Sequence, residues 1–134
     1  MTQPVAVGDK LVAKTFPPIS RHTLALYCGA SGDHNPIHVD SDFARAAGFP
    51  DVFSHGMLVM GYMAQALTEA VPPASLRSFS SRFVAITQHG ARITCEGAVA
   101  EVWEQDGERR ARIVLSAADE LGEVKLAGVA VVVI

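Results

Sequence analysis

The rhythm of apolar and polar positions changes near the middle of the chain. Up to Val71 apolar residues recur three and four apart, and beyond Leu76 they alternate with polar ones and are often β-branched. Residues 5–16 open with a turn and read as a strand that Pro17 and Pro18 stop. Ser20 then stands as N-cap to a helix on which Leu24, Tyr27 and Cys28 share a face, before Gly29 and Gly32 loosen the chain. Ser41 is placed to cap a second, short helix through Phe43 and Ala47, ended by Gly48 and Pro50. Residues 55–71 form the longest apolar segment. Apolar side chains surround it almost completely, which predicts a buried helix, terminated by Pro72 and Pro73.

Four strands follow, over residues 79–87, 93–104, 109–118 and 124–134. Turn signals at Gln88-His89-Gly90, Asp106-Gly107 and Leu121-Gly122 separate them, so they read as an antiparallel meander. Ile93, Cys95 and Gly97 alternate on one face, and Val99 is expected to point the other way after a bulge. A sheet with one apolar face and an apolar helix each need cover, so the expected architecture is α+β, an antiparallel sheet wrapped around a long buried helix. Its edges and outer face make a dimer the natural completion.

Composition narrows the functions. A length of 134 residues suits one domain spanning 1–134, with disorder expected only at the extreme N-terminus. A net charge of -3 gives no electrostatic support to nucleic-acid or anionic-membrane partners. The run from Gly128 to Ile134 is far shorter than the roughly 20 residues a membrane helix needs. With no export signal at the start, a cytoplasmic protein is expected. Cys28 and Cys95 have no metal-ligand spacing and read as free buried thiols.

Against this background the run from Tyr27 to Asp40, YCGASGDHNPIHVD, stands out. It sets Asp33, His34, Asn35 and His38 around a Gly and a Pro, between two predicted helices. Such a density of titratable and turn-forming residues points to a site rather than to packing. Asp33, His38 and Asp40 are also a conceivable divalent-ion trio, but without metal-site spacing around them no metal is expected. His34, His22 and His89 read as solvent-facing.

Tyr27, Gly32, Asp33, Asn35, Pro36, Ile37, His38 and Ala44, followed by Ser54-His55-Gly56-Met57 opening the apolar helix, resemble the R-specific enoyl-CoA hydratases. These are the MaoC-like hydratases and dehydratases of the hot-dog fold. Val7-Gly8-Asp9 and Arg82-Phe83 also sit where that family places similar residues. The chain departs from the family after Phe83, where Ile86 and Gln88-His89-Gly90-Ala91 replace a usual Pro and Gly-Asp.

The resemblance implies catalytic roles for Asp33 and His38, with the thioester carbonyl held by the main-chain amide of Gly56. Hydration of an enoyl thioester requires a base for water, an acid for the α carbon and a donor for the charge on the thioester oxygen. An Asp/His pair and a glycine amide at a helix N-terminus supply those three roles. Asn35 and Pro36 are expected to brace the loop. Ser54 either contacts substrate or caps the helix, and His55 and Met57 flank Gly56 at the substrate-binding turn. The implied activity is reversible hydration of trans-2-enoyl thioesters of coenzyme A or acyl carrier protein to (R)-3-hydroxyacyl thioesters. No bound cofactor is expected, and the partner is a second copy or a related subunit. Two rivals remain: a hot-dog thioesterase, whose acid would have to be Glu69, and a non-catalytic acyl-binding subunit.

Overall fold

The computed structural model describes residues 4–134. The disorder expected at the extreme N-terminus concerns Met1, Thr2 and Gln3, which lie outside the described residues. Among the described residues five antiparallel strands form one sheet: β1 (Lys10–Thr15), β2 (Leu76–Phe83), β3 (Thr94–Gln105), β4 (Glu108–Ala118) and β5 (Val124–Val133). Three α-helices, α1 (Arg21–Ser31), α2 (Ser41–Ala46) and α3 (Gly56–Ala70), precede β2.

The strand order is β1-β3-β4-β5-β2, which corrects the expected meander. β3, β4 and β5 do run as hairpins. Asp106 and Gly107, both at positive φ, make the two-residue turn that matches strand twist, and Asp119 accepts from the amides of Leu121 and Glu123 in the next turn. β2 pairs with β5 instead of β3, because residues 84–93 leave the sheet and cross over. Residues 84–87 thus belong to this crossover and not to the strand. The first strand is also shorter than expected, starting at Lys10. Val99 is buried on the same face as Cys95 and Gly97, and the register shift comes one step later, between Val99 and Glu101.

The helices end where their chemistry dictates. Ser20 caps α1 by accepting from the Thr23 amide, and Gly32 closes it in the left-handed conformation that a side chain disfavours. α2 is capped by Asp40, one residue before the expected Ser41, whose hydroxyl is engaged elsewhere. α3 lies on the apolar face of the sheet, burying Leu58, Val59, Met63, Ala66 and Leu67 against Ile113, Leu115 and Val132 among others. Gly128 permits this approach, since a Cβ there would stand 2.9 Å from Met63 Sδ and 3.0 Å from the Ser80 carbonyl. The helix is not covered all round: Met57, Gly61 and Gln65 are exposed. Cys28 and Cys95 are both free and buried, as expected. Among the described residues no helix is long and apolar enough to cross a membrane.

Candidate active site

The left-handed turn at Gly32 swings the chain off α1 into a loop of local side-chain bonds. The Asp33 amide donates to Ser31 Oγ, and Asn35 Oδ1 accepts from the Ile37 amide at 3.1 Å. That second bond caps a single 3-10 turn, Pro36–His38, so Asn35 braces the loop by the Asx mechanism and Pro36 starts the turn with its φ already set. The turn carries His38 inward, where it is buried, while Asp33 stays half exposed.

His38 Nδ1 lies 2.7 Å from the Phe53 carbonyl. A carbonyl only accepts, so Nδ1 carries the proton and neutral His38 keeps a bare lone pair on Nε2. Nε2 stands 3.9 Å from Asp33 Oδ2, too far for a direct hydrogen bond. One water within hydrogen-bond reach of both groups fits that separation.

His55 is the floor beneath this pair. Its ring stacks on His38 with centroids 3.8 Å apart and meets the edge of Tyr27 at 4.6 Å. Nε2 of His55 donates to the Asp33 carbonyl at 3.2 Å and lies 3.4 Å from Cys28 Sγ. Burial pushes His55 below the ordinary histidine range, and the hydrogen bond to the Asp33 carbonyl opposes it only in part. Burial likewise raises the Cys28 thiol, with Asp33 adding to the shift.

Asp33, His38 and His55 offer ligand atoms within 4.8 Å of one another. Asp40, the third member of the conceivable ion trio, is instead spent on the Phe43 amide. Two features disfavour a metal cage. The imidazole planes are only 25° apart, so their in-plane lone pairs run side by side instead of converging, and His55 Nε2 is already a donor.

Gly56 follows His55 directly and starts α3, where first-turn amides have no intrahelical acceptor and the helix dipole favours negative charge. His55, not Ser54, is the N-cap residue, and it makes no side-chain cap. Ser54 instead anchors the turn, its hydroxyl donating to the His55 carbonyl and its amide to Thr87 O at 2.7 Å. A cavity of about 290 Å³ opens here, lined by Phe53, Ser54, Gly56, Phe83, Thr87 and Lys125 among others. A side chain on Gly56 would meet the Phe83 ring at 2.9 Å, so glycine is what keeps this corner open. Asp33, Asn35 and His38 are not on the walls of this cavity. Met57 faces a separate groove of about 530 Å³ with Tyr27, Met60, Tyr62 and Phe79.

Several participants carried no signal in the sequence. The crossover supplies a wall through Thr87, and Phe53 bridges Gln88. Lys125, buried beside the cavity, bonds the Ile86 carbonyl at 2.9 Å and pairs with Asp119 and Glu123. His89, expected in solvent, is only partly exposed and lies 3.2 Å from Asp51 Oδ2. His34 and His22 are exposed, as expected. Glu69 is remote from the site: it pairs with Lys14 and accepts from Gln65, some 13 residues and about 20 Å along α3 from Gly56.

The chain belongs to the MaoC-like domain family, whose model matches residues 2–120. It is 34% identical over 82 residues to the peroxisomal enoyl-CoA hydratase 2 of Arabidopsis thaliana, covering 59% of this chain and 25% of that protein. An (R)-specific enoyl-CoA hydratase of Rhodospirillum rubrum is 38% identical over 61 residues, covering 46% and 40% respectively. The chain thus spans 25% of the first relative's length and 40% of the second's. Among solved structures, an unliganded R-hydratase from Pseudomonas aeruginosa superposes with a TM-score of 0.84 at 26% identity, covering 96% of this chain and 81% of that one. The sheet and helix are thus those of the hot-dog fold, as the motif implied.

Proposed function

We propose that this chain, residues 1–134 acting as one domain, reversibly hydrates trans-2-enoyl thioesters of coenzyme A or acyl carrier protein to (R)-3-hydroxyacyl thioesters. The observation that carries this reading is the bare Nε2 of His38, fixed by the Phe53 carbonyl and facing the Asp33 carboxylate across 3.9 Å. The chain's similarity to hydratases supports the substrate class.

In the hydration direction a water held by Asp33 and His38 loses a proton to Nε2 as its oxygen bonds to the β carbon. The electron pair of the double bond moves toward the thioester, whose oxygen takes up negative charge against the Gly56 amide at the α3 N-terminus. The Asp33–His38 pair then returns a proton to the α carbon, so one water is added across the double bond. Asn35 holds the loop, Ser54 and His55 hold the turn, and Met57 borders the groove along α3. No bound cofactor has a role, because the thioester arrives on its carrier as the substrate.

Met57, Gly61 and Gln65 on α3 and the free edge of β2 form an unpartnered surface, which we assign to a second copy in a homodimer or higher oligomer, or to a related subunit in a heterodimer. A cytoplasmic location belongs to the same reading, beside a relative whose name places it in the peroxisome.

The test offers the purified protein crotonyl-CoA and a medium-chain trans-2-enoyl-CoA, then a saturated acyl-CoA. Loss of enoyl absorbance with no thiol released from the saturated ester supports a hydratase. Thiol release would identify a thioesterase instead, and binding without turnover an acyl-binding subunit.

A further inference from the structure

One carboxylate outside the Asp33–His38 pair ties together the segments that build the site. Asp51 is only 16% exposed at its side chain, although it lies in a loop. Its Oδ1 accepts from Ser41 Oγ at 2.7 Å, from the Val52 amide at 2.8 Å and from Arg21 Nη1 at 3.1 Å. Its Oδ2 faces Arg21 Nη2 at 2.5 Å, His89 Nε2 at 3.2 Å and Arg45 Nη2 at 3.4 Å. Arg21 opens α1, Ser41 opens α2, Arg45 lies in the last turn of α2, and His89 belongs to the crossover. Arg21 also donates to Ser41 Oγ, and Arg45 donates to the Pro50 carbonyl, which closes the network. The guanidinium of Arg21, then Ser41 and the Val52 amide, hold the Asp51 carboxyl well below the usual carboxylate range.

Each segment tied at Asp51 leads along the chain to a functional group. α1 runs into Asp33, and α2 follows His38. The chain leaving Asp51 passes through buried Val52 to Phe53, whose carbonyl fixes the His38 tautomer, and ends at Gly56. The crossover holds that same strip through the Phe53–Gln88 bridge and the Ser54–Thr87 bond. We propose that Asp51 is a positioning residue, the anchor through which Arg21, Ser41 and His89 set the Phe53 carbonyl against His38 and align the Gly56 amide with it.

The inference rests on the hydratase reading for its kinetic arm, and the test includes an arm that does not. Asp51→Ala removes all the acceptors, Asp51→Asn keeps one oxygen for Ser41 and Val52, and His89→Ala removes a single tie. Misplacing a catalytic group by near an ångström costs up to about 100-fold. We therefore expect Asp51→Ala to lower kcat by about 10- to 100-fold with KM moving less, Asp51→Asn to recover part of the loss, and His89→Ala to lose least. In parallel, imidazole 15N spectra should show wild-type His38 as a single Nδ1–H tautomer and the Asp51→Ala protein as a mixture.

Unchanged His38 tautomer signals together with unchanged kcat in Asp51→Ala would overturn the proposal. If that variant does not fold, Asp51→Asn and His89→Ala decide by the same two readouts. If wild-type protein hydrates no enoyl thioester, the hydratase reading fails, and the His38 spectra alone decide the role of Asp51.

Discussion

Replacing Gly56 by Ala tests the helix-end amide with little risk to the fold. The backbone at Gly56 is not in the left-handed region, so Ala adopts it without torsional strain. The new methyl would stand 2.9 Å from two carbons of the Phe83 ring, which must retreat to at least the 3.4 Å of ordinary contact. Overpacking costs about 1–3 kcal/mol in a closed core, but Phe83 is 55% exposed and its ring is free to swing outward. Ala also gains up to about 1 kcal/mol over Gly in helix propensity. These terms oppose each other, and the melting temperature should barely move.

Activity should respond far more. The methyl protrudes into the cavity corner through which a thioester oxygen would reach the Gly56 amide. Denying an oxyanion one such donor costs about 10²–10³ in kcat. Initial rates of enoyl-thioester absorbance loss, with thermal melts alongside, measure both quantities. Repeating Gly56→Ala in a Phe83→Ala background separates the causes, because it removes the ring that the methyl displaces. A loss that persists there belongs to the methyl blocking the amide. A variant that keeps kcat/KM within about threefold of wild type, under about 0.7 kcal/mol of barrier, would refute the oxyanion role.

Other consequences are open to simpler measurements. Glu69→Gln should leave hydratase activity unchanged and shift denaturant unfolding little, because the Lys14–Glu69 pair is solvent-exposed; thiol release from an acyl-CoA that this variant abolishes would restore the thioesterase reading. The guanidinium of Arg77 holds the Glu108 carboxyl down to about 2, against an ordinary value of 4.5. With the folded pKa depressed, the stabilisation is fully present above the unfolded pKa and is lost as pH falls from about 4.5 through about 2. Melting curves of wild type and Glu108→Gln should therefore differ at neutral pH and converge in acid, and a constant gap would contradict the pairing. Burial raises the Cys95 thiol to about 11, so a thiol reagent at neutral pH should label Cys95 only after denaturation, as mass spectrometry of the modified chain would show.

The elements that sequence revealed are those with a local cause. Ser20, Gly32, the paired prolines and Asp106-Gly107 act on their own neighbours, and the helix and turns they specify are present. β2 pairs with β5 and not with β3, although adjacency in sequence suggests a hairpin. The ten residues between its end and β3 are too many for a tight turn, and that length was the available signal. The helix face at Met57 and Gly61 illustrates a different limit, since apolar character on every side does not say which side the chain itself covers.

At the site the same division holds. Asp33, Asn35, Pro36 and His38 form one continuous loop, and their bracing is local enough to read from order alone. His55 was legible only as a neighbour of Gly56; that its ring lies beneath His38 is a tertiary fact. The ties of Asp51 to Arg21, Ser41, Arg45 and His89 join residues with no shared periodicity, so nothing in their order along the chain shows that they meet.

The most direct measurement is hydration of a trans-2-enoyl-CoA by wild-type protein beside His38→Ala and Asp33→Asn, with the configuration of the product determined. Conversion to the (R)-3-hydroxyacyl thioester by wild type, falling by orders of magnitude in both variants while their melting temperatures hold, is the expected result. Turnover that survives the loss of either side chain, or an (S) product, would contradict the assignment of Asp33 and His38 as the pair that activates water.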